Sequence, residues 1–83
     1  MAFNLRRLKA ERVASGYTQG QFADKINMSR SAYVKREDGF TKISVEDLSK
    51  ILKGLGYGPE KVSIFFEDGV RKREQNKEKE GVR

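Results

Sequence analysis

Two capped helical stretches separated by a break of three residues constrain the fold of this chain most strongly. Thr18 can cap the first stretch, and Gln21 stands three residues later, which is the spacing of a capping box. Ser29 can cap the second stretch in the same way. The pattern therefore predicts helices over about 18–26 and 29–38.

The break between the two stretches has the chemistry of a tight turn. Asn27 stands where the chain needs a residue that tolerates a positive φ, and Gly39 is a natural stop for the second helix. Ala23 is small enough to let the second helix approach closely. Two short helices joined in this way form a helix-turn-helix, whose second helix lies in the major groove of DNA. An ordinary helical hairpin inside a core is the alternative that this pattern leaves open.

Composition excludes several classes of site. The 83 residues suffice for one small domain, and they include no cysteine and no histidine. Disulfides, thiolate ligands, the commonest general base and the commonest metal ligand are therefore missing. Paired carboxylates do not cluster in any evident way, so we expect no enzyme, no cofactor, no metal and no small-molecule ligand. Apolar runs are short and no signal segment is evident, which predicts a cytoplasmic protein without a membrane span.

Positive charge is concentrated in the part of the chain that holds the two stretches. The net charge is +6. Residues 1–42 carry nine Lys or Arg against four Asp or Glu, whereas residues 43–66 carry three of each and residues 67–83 carry six against five. A basic field placed in this way suits the phosphate backbone of a nucleic acid. The alternative is that basic small proteins are simply common.

Three further helices and a charged tail complete the predicted layout, which is an all-α domain over 1–66 followed by a tail over 67–83. A first helix is expected over about 4–15, a fourth begins after Ser44, and Pro59 fits the first position of a fifth. The tail is too polar to bury a core, so we expect it to be frayed or disordered. The predicted apolar positions of the first and fourth helices are Leu5, Leu8, Val13, Val45, Leu48, Ile51, Leu52 and Leu55.

This layout resembles the phage-repressor family of DNA-binding domains, also called the Cro/CI or XRE type. The resemblance covers residues 5–66. It rests on the segments Gly16-Tyr17-Thr18-Gln19, Phe22-Ala23, Met28-Ser29-Arg30-Ser31, Glu37-x-Gly39 and Ser44-Val45-Glu46-Asp47-Leu48. It implies a five-helix lambda-repressor-like domain with the helix-turn-helix at its second and third helices. It also implies a sequence-specific regulator, typically a repressor of phage, prophage or mobile-element type that binds a palindromic operator as a dimer.

The resemblance assigns roles to individual residues. The positions that face base edges are Arg30, Ser31, Val34 and Lys35. The positions expected to contact phosphate are Thr18, Gln19, Ser29, Arg36, Thr41 and Lys42. Arg12 and Glu37 match a structural ion pair between the first helix and the recognition helix, and a phosphate contact is the alternative for Arg12. Tyr33 matches a core position. Arg36 replaces a residue that is usually apolar, so either its stem packs on the core or its head reaches a phosphate.

Three apolar residues near the end of the predicted domain indicate a dimer contact. Ile64, Phe65 and Phe66 are consecutive, so a single helix face cannot bury all three. We expect a symmetric homodimer with Phe65 or Phe66 at its centre. The alternative is that all three side chains pack inside one molecule against the first and fourth helices.

Two other functions use the same fold. An antitoxin combines such a domain with a tail that binds a toxin, but this tail has almost no amphipathic face. A protein-interaction adaptor would have acidic or bulky apolar residues at the base-facing positions. Arg30, Ser31 and Lys35 instead favour double-stranded DNA as the partner. The other expected partner is a second copy of the chain.

Overall fold

The structure, a computed structural model, describes residues 3–66, and this part of the chain is all-helical, as predicted. Its five helices are α1 (Leu5–Ala14), α2 (Gln19–Lys25), α3 (Arg30–Glu37), α4 (Val45–Leu55) and a C-terminal 3-10 helix (Pro59–Phe65). No helix within residues 3–66 is long and apolar enough to cross a membrane. The prediction for the tail over 67–83 lies outside the described residues.

The helix starts predicted from local sequence are confirmed. The Thr18 hydroxyl accepts a hydrogen bond from the backbone N–H of Gln21, and the Gln21 side chain accepts one from the Thr18 N–H in return. Ser29 Oγ accepts from the backbone N–H of Ala32 at the start of α3. These bonds satisfy donors that would otherwise lack partners in the first turn of each helix, so they fix where α2 and α3 begin.

The turn between α2 and α3 is as tight as the sequence predicts. Asn27 has φ of 60°, which is the left-handed conformation expected at this position. The backbone N–H of Met28 donates to the carbonyl of Ala23 over 2.9 Å and closes the turn. Gly39 follows α3 with φ of 90°, a conformation that a residue with a Cβ adopts only under strain. The two helices therefore form a helix-turn-helix with well-defined ends.

A small core lies between the helices. The ring of Phe22 in α2 packs edge-on against the ring of Tyr33 in α3, with centroids 5.4 Å apart. Gly54 allows α4 to approach the end of α2, because a Cβ at this position would lie 2.5 Å from the Cγ2 atom of Ile26. The side chains with no exposed surface are Leu8, Phe22, Ala23, Tyr33, Ile51 and Phe65.

Two predicted apolar positions lie on the surface. Val13 in α1 is 57% exposed and Val45 in α4 is 87% exposed, so both predictions are wrong. The buried line of α1 continues from Leu8 to Arg12, one helical turn later, and Val13 lies beside it. Val45 is the first residue of α4 and lies beyond the edge of the core, which α4 reaches with its later residues.

The C-terminal apolar residues do not all face the surface. Phe65 is fully buried, and its ring stacks on that of Phe3 with centroids 5.1 Å apart. The Phe66 ring packs edge-on against that of Phe3, with centroids 5.6 Å apart. Phe66 and Ile64 are half-buried. The prediction that Phe65 lies in a dimer contact is therefore wrong, because Phe3, which precedes α1, covers it within the same molecule.

Candidate nucleic-acid interface

Helix α3 has one face exposed and one face buried in the core. Arg30, Ser31 and Lys35 are exposed, and Val34 beside them is half-buried. Tyr33 is completely buried on the opposite side of the helix. Positions i, i+1, i+4 and i+5 share a helix face, so the four residues predicted to face base edges lie on a single surface.

The buried carboxylate of Glu37 holds α3 in place. It accepts hydrogen bonds from Arg12 Nε at 2.8 Å and Arg12 Nη2 at 3.1 Å, both of them from α1. It also accepts from Gln19 Nε2 in α2 at 2.9 Å and from the Tyr33 hydroxyl at 2.8 Å. Arg12 in turn donates from Nη1 to the carbonyl of Tyr17 at 2.7 Å. One carboxylate thus joins α1, α2 and α3.

The electrostatics of this cluster favour its charged form. Burial alone would raise the pKa of Glu37, but the hydrogen bonds it accepts outweigh burial and hold its pKa below the ordinary value. The hydrogen bond to Glu37 raises the pKa of Arg12. Burial raises the pKa of Tyr33, and so does its hydrogen bond to Glu37. The resulting state at neutral pH is a carboxylate, a guanidinium and a neutral phenol.

Several of the side chains predicted to contact phosphate lie around α3. Thr18 and Ser29 are exposed at the starts of α2 and α3, where each hydroxyl oxygen accepts a backbone hydrogen bond. A hydroxyl keeps its own proton in this arrangement, so it can still donate to another oxygen. Lys42 is exposed and Thr41 is half-buried in the loop that follows α3. Gln19 has one amide proton bound by Glu37 and a second one to donate.

Arg36 has a different environment from the one predicted. Its Nε donates to Asp47 Oδ2 at 2.9 Å, and its Nη1 donates to the carbonyl of Ala32 at 2.9 Å. Asp47 also accepts the backbone N–H of Ser44, as part of the capping box that begins α4. The guanidinium of Arg36 therefore joins α3 to the start of α4, and these bonds occupy two of the donors that a phosphate contact could use.

An open apolar groove lies next to the loop that follows α3. Its volume is about 430 Å³, and its lining includes Phe3, Leu5, Leu48 and Phe66. Lys42 of the loop after α3 stands at the same groove. The exposed part of Phe66 is thus continuous with further apolar surface, which bears on how two copies of the chain could meet.

Several polar groups bind partners that were not predicted from the sequence. The bond from Gln19 to Glu37 spans 18 residues and that from Arg36 to Asp47 spans 11 residues, so neither has a local signal. The bond from Tyr33 to Glu37 joins positions i and i+4 of one helix. That spacing was available in the sequence as a signal for a side-chain pair.

Comparison with known protein families identifies the arrangement. A family described as helix-turn-helix matches residues 8–62, well over half of the chain. The chain belongs to this XRE-type helix-turn-helix family. The match extends from α1 into the C-terminal helix and includes both residues of the buried ion pair, Arg12 and Glu37. As a member, the chain is a DNA-binding transcription regulator. No curated protein and no solved structure gave a significant match.

Proposed function

We propose that this XRE-type regulator acts in the cytoplasm as a dimeric repressor of phage, prophage or mobile-element type that binds a palindromic operator. The observation that carries the proposal is the division of α3 between exposed Arg30 and Lys35 and the buried, anchored Glu37. A helix whose buried face is anchored to the core and whose exposed face carries polar side chains suits reading of base edges in the major groove.

Each residue on the exposed face of α3 has a distinct role in this proposal. The guanidinium of Arg30 donates to O6 and N7 of guanine, which is the arrangement that arginine geometry favours. Ser31 donates to or accepts from several bases, so it tolerates sequence changes. Val34 contacts the methyl group of thymine, and Lys35 reaches a base or a neighbouring phosphate.

A second set of groups holds the regulator on the DNA backbone. It consists of Thr18, Gln19, Ser29, Thr41 and Lys42. These groups flank α3 at the starts of the two motif helices and in the following loop. Contacts of this kind set the position of a protein on the duplex but carry no sequence information. Arg36 is left out because Asp47 and a backbone carbonyl already bind its guanidinium.

The proposed dimer uses the surface around the C-terminal helix. The half-buried side chain of Phe66 lines the apolar groove, and Ile64 nearby in the chain is also half-buried. Phe65 is excluded because it is buried. A twofold contact there presents two α3 helices to half-sites about 34–36 Å apart, which is one turn of DNA. Repression then requires only that the dimer occupy the operator.

Selection of binding sites from random duplex DNA, followed by sequencing, tests this proposal. The expected result is enrichment of an inverted repeat whose half-sites are one helical turn apart and contain a guanine that depends on Arg30. The matched control is the Lys42→Ala variant, which should select the same sequence with lower affinity. Recovery of no enriched sequence, or of a single asymmetric half-site, would contradict the dimeric operator.

A further inference from the structure

The backbone conformation of Gly20 does not require a glycine. Three other glycines, Gly16, Gly39 and Gly56, have φ between 79° and 90°, a region that strains other residues. Gly20 instead lies in the first turn of α2 and is not among the residues with positive φ. A glycine within a helix destabilises it relative to alanine, so its presence here calls for an explanation from its surroundings.

The side chain of Arg30 lies next to Gly20. A Cβ built at Gly20 would have three nearest atoms, and all three belong to Arg30: Cδ at 3.3 Å, Nε at 3.6 Å and Cγ at 3.9 Å. A separation of 3.3 Å is tighter than ordinary van der Waals contact, so an added methyl group would require the Arg30 side chain to shift by a few tenths of an ångström. The stem of Arg30 therefore lies along the backbone of the first turn of α2.

This contact restricts a side chain that would otherwise move freely. Arg30 is the first residue of α3 and is exposed to solvent. Long exposed arginines occupy many rotamers, and binding that orders them loses conformational entropy. A stem resting on α2 leaves the guanidinium fewer directions from which to approach a base.

We propose that Gly20 is a specificity-determining residue of this regulator, because the space beside its Cα directs Arg30 towards the base that Arg30 reads. Gly20 itself touches no base, so it acts as a positioning residue. The inference rests on the proposed function, in which Arg30 contacts guanine. In this arrangement α2, through Gly20, contributes with α3 to the preference for one base pair.

A methyl group at Gly20 should raise the stability of the protein but lower its affinity for the operator. Alanine should strengthen α2, because it restricts the unfolded chain and favours the helix. The same methyl group should displace Arg30 and weaken the contact with its base. A residue with a purely structural role would show both changes in one direction, so the combination distinguishes positioning from stability.

Four proteins test the inference: the wild type, Gly20→Ala, Arg30→Ala and the double variant. Binding is measured on the selected operator and on an operator with the base pair read by Arg30 replaced. Thermal melting reports stability. The Nε–H resonance of Arg30 in the free protein, observed by NMR, reports the contact without DNA. The Arg30→Ala background is the matched control, since the methyl group has no arginine to displace there.

For Gly20→Ala we expect a melting temperature at or above that of the wild type and a shifted Arg30 resonance. We also expect operator binding to weaken about threefold to tenfold, part of what a good arginine–guanine pair contributes. In the Arg30→Ala background the methyl group should leave affinity unchanged. Equal loss in both backgrounds, or unchanged affinity with an unshifted resonance, would overturn the role of Gly20. If Arg30→Ala leaves base preference unchanged, the base-reading role in the proposed function fails instead.

Discussion

Arg12 in α1 and Glu37 in α3 form a two-pronged ion pair across 25 residues of sequence, with their side chains only 7% and 3% exposed. The two bonds fix the guanidinium and the carboxylate in one plane, so they restrict rotation as well as distance. Leu8, one turn before Arg12, is completely buried and holds α1 in the core. The orientation of α3, and with it the direction of its exposed face, is thus determined partly by α1.

Removal of Arg12 should destabilise the domain strongly. Arg12→Ala leaves the Glu37 carboxylate buried with one partner fewer, and the expected loss is about 3–5 kcal/mol of unfolding free energy. Thermal and urea unfolding measure this loss. Lys9→Ala is the matched control on the same helix, because Lys9 is exposed and should change stability by less than about 0.5 kcal/mol. Loss of DNA binding by Arg12→Ala with unchanged melting would instead assign Arg12 to a phosphate contact.

Acid should weaken the fold through Glu37. Its pKa is lowered in the folded state, so its contribution to stability is complete above the unfolded value of about 4.5 and is lost as pH falls through the folded value. Glu37→Gln removes this contribution, so its unfolding free energy should fall less steeply with acid than that of the wild type. Urea unfolding across this range measures both slopes. Glu46→Gln, which removes an exposed carboxylate, should retain the wild-type slope, and equal slopes for all three proteins would contradict the prediction.

Arg36 should contribute to stability and not to the electrostatics of DNA binding. Its ion pair with Asp47 is partly exposed, at 23% and 12%, so Arg36→Ala should lose about 1 kcal/mol or less. The dependence of DNA affinity on salt should stay as in the wild type, because the guanidinium neutralises Asp47 and no phosphate. Lys42→Ala is the comparison and should reduce the salt slope by about one. A similar reduction for Arg36→Ala would restore Arg36 to the phosphate contacts.

Local chemistry made the helix-turn-helix predictable from sequence. A capping hydroxyl such as Thr18 or Ser29 acts on N–H groups within three residues, so the signal and its effect lie close together. The positive φ of Asn27 likewise depends on one residue and its neighbours. The resemblance to the phage-repressor family supplied the two faces of α3, with Arg30 and Lys35 outside and Tyr33 inside.

Contacts between distant elements could not be predicted in this way. The three consecutive apolar residues do not themselves show which of them is buried, because the ring of Phe3 that stacks on Phe65 comes from 62 residues away in the sequence. The pairing of Arg36 with Asp47 gives no separate signal, because Asp47 is already used by the cap of α4. The role of Gly20 gives no signal in the sequence, because it depends on where the Arg30 side chain lies in the fold.

Phe66 should support self-association. Phe66→Glu places a charge beside the apolar groove, so it should shift the monomer–dimer equilibrium towards monomer and abolish cooperative binding to the operator. Sedimentation equilibrium, with and without operator, measures the change. Val13→Glu makes a similar substitution at an exposed apolar position of α1 and should leave association unchanged. A wild type that stays monomeric and binds operator one-to-one would rule out the proposed contact.

The affinity of Arg30→Ala for the selected operator and for random duplex tests most directly whether the exposed face of α3 reads DNA sequence. The wild type and Lys42→Ala are measured at the same salt concentration. We expect Arg30→Ala to lose about 1–3 kcal/mol of binding free energy on the operator and much less on random duplex, with relaxed preference at one base pair. Lys42→Ala should weaken both by similar factors. An equal loss on operator and random duplex for Arg30→Ala would contradict base reading by α3.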